Sequence, residues 1–161
     1  MSIQLTALQP TEVDGYMIVA NQLSLAVEAL SKFETLPTRG CALLAAQALE
    51  CVLKALICHG GKSFPKNEQH NLLALWSIAE ETQRIDIPKE PPDWVKILSI
   101  GHGPRFYFRY QQGAEKNTVH GGQTPALIPM AQALSSLLKD VSNSIACNGL
   151  VSINRVDCIR R

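Results

Sequence analysis

The sequence predicts an all-α protein, an up-and-down helical bundle of four to five helices with an irregular insertion before the last long helix. Two observations carry that reading. Apolar residues recur at three- and four-residue spacing through three long segments, and no strand pattern alternates with helix in the βαβ manner. The length supplies a third constraint: 161 residues, 46% of them hydrophobic and 18% charged, make one folding unit able to bury a core. Residues 1–161 are therefore read as a single domain, with a tail from 150 to 161 that has no clear period and could be flexible.

Thr11, with Asp14 three places on, forms a capping box that opens a first helix from about Thr11 to Phe33. Val13, Tyr16, Ala20, Leu23, Val27 and Leu30 share its apolar face, and Pro37 closes the connection. Thr38 can cap a second helix whose residues from Cys41 to Cys58 are apolar on nearly every side, which marks it as the central helix. Gly60-Gly61 ends it, and the loop continues through Pro65 and Asn67. Leu72, Leu75, Trp76 and Ala79 mark a third helix with His70 at or near its start. Pro88, Pro91 and Pro92 make the next stretch a connection, followed by a short helix over Trp94 to Ile100. Gly101-His102-Gly103-Pro104 reads as a turn, and Arg105 to Tyr110 alternates basic and aromatic residues as an extended segment would. Gln111 to Gln123 is polar and glycine-bearing. Thr124 and Pro125 then open the last long helix, with Leu127, Ala131, Leu134, Leu138, Val141 and Ile145 on one face and an end near Asn148-Gly149.

Composition excludes several function classes. Fifteen Lys plus Arg against 14 Asp plus Glu leave a net charge of +1, which supplies no overall field for nucleic acid or an anionic membrane, so any such binding needs a local patch. Five cysteines, odd in number and with no Cys-x-x-Cys spacing, argue against a disulfide framework or structural zinc. Cys41, Cys51 and Cys58 fall in the apolar run and read as core residues of a protein from the reducing cytoplasm. The start of the chain has no signal-peptide or presequence pattern, and Gln47, Glu50 and Lys54 interrupt the most apolar segment, so no membrane association is expected. No metal and no cofactor are expected from any spacing in the chain.

Gly60-Gly61-Lys62-Ser63 lacks the upstream glycine and the preceding strand of a P-loop and reads as a helix C-cap. Two other groups could carry chemistry. Gln47, Glu50 and Lys54 form one polar stripe on the central helix, with Glu50 and Lys54 at the i, i+4 spacing of an ion pair. That pair is either a bridge on a solvated edge or the polar floor of a site completed by His70. The second group is His102, Arg105, Arg109, Tyr110, Lys116 and His120, a basic segment with interleaved tyrosines suited to phosphate and base contacts. Its arginines could equally be ordinary anchors and its aromatics core.

The stretch Ala46-Gln47-Ala48-Leu49-Glu50-Cys51-Val52-Leu53-Lys54-Ala55-Leu56, then His70-Asn71-Leu72-Leu73-Ala74-Leu75, with the later Arg109-Tyr110, resembles the HEPN superfamily. The resemblance covers about Thr38 to Arg84 and continues elsewhere in helix order. It implies a small helical bundle, often dimeric, of the kind found in prokaryotic defence or toxin-antitoxin systems. Catalytic HEPN proteins are metal-independent ribonucleases with an Arg followed about four to six residues later by a His. Here Arg109 and His120 have ten residues between them, so the resemblance implies the non-catalytic branch, which is thought to bind nucleotides or RNA or to partner a nucleotidyltransferase.

The sequence therefore supports a cytoplasmic, homodimeric HEPN-like module holding a nucleotide or RNA near Glu50, Lys54, His70, Arg105, Arg109 and Tyr110. Two alternatives stand beside it. One is a divergent ribonuclease with His120 as general base and Arg109 stabilising the phosphorane charge. The other is a protein-interaction partner, of a nucleotidyltransferase for example.

Overall fold

The computed structural model describes residues 11–33, 38–103 and 124–157, with side chains as far as residue 147. Among the described residues there are five α-helices and no strand: α1 Glu12–Leu30, α2 Thr38–His59, α3 Leu72–Glu80, α4 Asp93–His102 and α5 Leu127–Asp157. A single 3-10 turn, Lys66–Glu68, precedes α3. The all-α helical bundle expected from periodicity is the observed architecture.

α2 occupies the centre and packs against each of the other four helices, with α1 and α5 in mutual contact, and α3 and α4 likewise. Its composition explains the position. Ala42, Ala45, Ala46, Ala48, Leu49, Val52, Leu53, Ala55, Leu56 and Ile57 are all fully buried, and with the buried Glu50, Cys51 and Lys54 they surround the helix. The alanines let neighbouring backbones come close, while the leucines fill the space between them. By length and composition α2 is the one described helix able to cross a membrane, and here its apolar surface is covered by the other helices. The four described cysteines are free thiols. Cys41 and Cys51 are buried and burial pushes both thiols up, so they pack as small hydrophobes.

The helix ends are fixed by local chemistry. The Asp14 amide donates to Thr11 Oγ1 at 3.2 Å and the Thr11 amide donates to Asp14 Oδ2 at 2.7 Å, completing the capping box of α1. α2 ends in a Schellman arrangement: the Lys62 amide donates to the Ile57 carbonyl and the Gly61 amide to the Cys58 carbonyl, both at 3.0 Å, with Gly61 at φ 73°. The glycine pair is thus a helix stop, as its context indicates. Gly60 is needed for a different reason, because a Cβ there would lie 2.6 Å from the Thr82 side chain after α3. Trp76 Nε1 donates to the Pro88 carbonyl at 2.8 Å, which ties the proline-rich connection to α3.

Two features depart from the sequence expectation. α4 starts at Asp93 and runs through His102, because the Gly103 amide reaches the Ser99 carbonyl at 3.0 Å and keeps Gly101 and His102 inside the last turn. The turn therefore begins later than the glycines suggest. α5 passes Gly149 and continues to Asp157, so Asn148-Gly149 does not cap it and residues 150–157 of the tail are helical. A glycine inside a helix costs about 1 kcal/mol relative to alanine, which the rest of a 31-residue helix can absorb. His59, suited by position to carry a positive charge at the end of α2, is held below its usual range by burial and by Arg84.

Candidate functional site

The polar stripe of α2 does not lie on a solvated edge. Glu50 and Lys54 are 2% and 7% exposed, enclosed by the same apolar helices that cover α2. Lys54 Nζ donates to Glu50 Oε1 at 2.7 Å, so the i, i+4 pair forms inside the bundle. A charge taken out of water here is tolerable only with full pairing, and the surroundings supply it. Tyr16 from α1 and Phe64 from the loop after α2 place their rings 5.8 and 5.2 Å from the Lys54 ammonium, adding cation–π attraction on its other side. Gln47, one turn earlier, turns its amide toward Cys51, with Nε2 3.9 Å from the sulfur.

The second carboxylate oxygen gathers two histidines. His70 Nδ1 lies 3.1 Å from Glu50 Oε2, and His102 Nε2 lies 2.6 Å from the same oxygen. Their rings meet edge to face with centroids 6.4 Å apart. His70 is placed by its neighbour. Asn71 caps α3, its Oδ1 accepting from the amides of Leu73 and Ala74 at 3.2 Å each, while its Nδ2 donates to Glu68 Oε2 at 2.7 Å. This fixes the residue before the cap at the mouth of the cluster, where the His70 side chain is 43% exposed. His102 is placed by α4, whose Val95 and Leu98 are buried on the same face, and is itself 1% exposed. Its Nδ1 has no hydrogen-bond partner among the described residues.

These partners decide the protonation of Glu50. Burial by itself pushes the carboxyl up, but hydrogen bonds from His102, Lys54 and His70 outweigh it and bring the group from 4.5 down to about 2. At neutral pH an ionised carboxylate is thus held in an apolar surround with a lysine on one oxygen and two imidazoles on the other. Such an arrangement can lock ring orientation, pin the end of α4, or present one oxygen and two nitrogens to a cation. Lys54 spends one donor on Glu50 and is enclosed, so it does not face solvent as a phosphate ligand would.

The structure brings together Glu50, Lys54 and His70, as the polar-floor reading has it, and adds His102, which the sequence grouped with the basic segment. Arg105, Arg109, Tyr110, Lys116 and His120 lie outside the described residues. A signal for His102 was present: with α4 extended by one turn, Val95, Leu98 and His102 stand at i, i+3 and i+7 and share the buried face. No family model, curated protein or solved structure matches the chain.

Proposed function

We propose that the chain is a non-catalytic, HEPN-like helical module that dimerises and binds a nucleotide or RNA through the basic, aromatic segment following α4. The observation that supports this reading most is the burial of His102 against Glu50 at the C-terminal end of α4, three residues before Arg105. The cluster acts as a rigid root for that segment. Glu50, Lys54 and His70 hold the root in place, and Arg105, Arg109 and Tyr110 meet the ligand, the arginines on phosphate and the tyrosine on a base. With a net charge of only +1, affinity must come from this local patch and must fall steeply with salt.

The test is retardation of labelled single-stranded RNA at low ionic strength in chelator, with nucleotide as competitor, repeated across a salt series. Wild-type protein should retard the RNA, and Arg105→Ala and Arg109→Ala should weaken binding and flatten the salt slope. No retardation at the lowest salt would overturn the reading. Cleavage that disappears in Arg109→Ala and His120→Ala would replace it with the metal-independent ribonuclease. Capture of a nucleotidyltransferase with no RNA signal would favour the protein-partner alternative.

A further inference from the structure

Glu50, His70 and His102 come from three separate parts of the chain, and each offers one donor atom to a common point. Glu50 Oε2, His70 Nδ1 and His102 Nε2 all lie within 4.8 Å of one another. We propose that these three side chains form a binding site for a divalent transition-metal ion, with zinc the ion best matched to the donor set. This inference stands independently of RNA binding.

The chemistry of the donors favours it. Two imidazoles and one carboxylate, with a fourth position left for water or an anion, are the ligand set of an open tetrahedral zinc site. Zinc at about 2.0–2.1 Å from each donor holds the donors roughly 3.3 Å apart. The carboxylate-to-imidazole separations of 2.6 and 3.1 Å are both shorter than that spacing, the one to His102 by more. An opening around Oε2 and an approach of the two histidines would create the site. Lys54 does not occupy the metal-facing oxygen, since its ammonium sits on Oε1 at 2.7 Å. It holds the carboxylate plane in place as an outer-shell partner does. The half-exposed His70 gives the ion a way in from solvent, while His102 and Glu50 form the closed back of the site.

Two features set limits on the binding. Lys54 and a divalent ion would face a single carboxylate, so the fourth position should favour an anion or hydroxide over neutral water. His102 Nδ1 has no acceptor among the described residues, and a ligating histidine without that outer-shell bond binds metal about 10–100-fold more weakly. The site should therefore exchange its ion with chelators rather than hold it through purification.

The experiment is a zinc titration of the full-length, metal-stripped protein against a chromophoric chelator, in a buffer free of phosphate and RNA. A parallel titration with Co²⁺ is followed by absorption. One ion per chain is expected, with Co²⁺ bands of a nitrogen- and oxygen-ligated site and no thiolate charge-transfer band. His70→Ala should weaken affinity at least tenfold while leaving the helical circular-dichroism spectrum unchanged, because its side chain is half exposed and outside any helix. His102→Ala should do the same, and it is scored only if its spectrum matches the wild type. Cys147→Ser, which alters the exposed thiol on α5, should bind as the wild type does. Absence of stoichiometric binding would overturn the proposal and leave a purely hydrogen-bonded cluster. Unchanged affinity in His70→Ala, or a thiolate band lost in Cys147→Ser, would overturn it by placing the ion elsewhere.

Discussion

Replacing Glu50 by glutamine tests whether the buried carboxylate holds the bundle together. The substitution keeps the shape and removes the charge, leaving Lys54, with 8% of its side chain exposed, beside a neutral amide. Breaking a buried ion pair by removing one partner costs about 3–5 kcal/mol, because the remaining charge stays desolvated. The protonation equilibrium points the same way, because hydrogen bonds from His102, Lys54 and His70 outweigh burial and make the folded state favour the ionised form. Against a typical domain stability of ~5–15 kcal/mol that cost is a large fraction. Lys54→Met is the matched control. It removes the ammonium but leaves Oε2 bonded to both histidines, and the methionine can pack on Tyr16 and Phe64. Its expected cost is about 1–3 kcal/mol, smaller than that of Glu50→Gln. Urea unfolding, followed by the fluorescence of Trp76 and Trp94 and by circular dichroism, reads both, and the m-value should stay constant. In heat, Glu50→Gln should lower Tm by roughly 6–20 °C for a domain of this size. A Glu50→Gln protein within about 1 kcal/mol of the wild type, or a Lys54→Met protein that is the less stable of the two, would refute the reasoning.

Further expectations follow from the same geometry. Because the folded-state pKa of Glu50 lies below its ordinary value, its contribution is complete above pH 4.5 and fades as the pH falls toward about 2, so the stability gap between wild type and Glu50→Gln should narrow across that window in denaturant titrations. Asn71→Ala removes the cap of α3 and the bond to Glu68, and should cost about 1–2 kcal/mol in thermal or urea melts. Gly60→Ala sets a methyl 2.6 Å from both Cβ and Cγ2 of Thr82 and should cost roughly 1–3 kcal/mol, whereas Gly60→Ala combined with Thr82→Gly, which removes both atoms, should cost less than the sum of the two single changes.

Much of the fold was legible because long helices announce themselves by period. The apolar face of α1, the all-round apolar surface of α2 and the box at Thr11 and Asp14 each depend on neighbours within one or two turns, which a single sequence displays. Glu50, Lys54 and His70 were legible as candidates because charges in an apolar helix need partners. Their depth was not, since burial of the stripe depends on how α1, α3 and α4 close over α2. His102 was misassigned for a local reason: two flanking glycines look like a turn, and the bond from the Gly103 amide to Ser99 shows that the helix runs on through Gly101 and His102. The meeting of residues 50, 70 and 102 follows no spacing rule, because three chain segments converge in tertiary structure.

That convergence bears on the order in which the bundle assembles. Glu50 Oε2 meets partners 20 and 52 positions along the chain, so α3 must dock and α4 must return before the carboxylate is satisfied. Loop closure over such spans is costly before the contacts that reward it exist, and the contacts of α1 with α2 have much shorter loops to close. By that measure the cluster forms after the α1–α2 hairpin. Substitutions within it should leave the refolding arm of a chevron nearly unchanged and steepen escape from the native state, so the residues that fasten α4 set how long the folded protein lasts rather than how fast it forms.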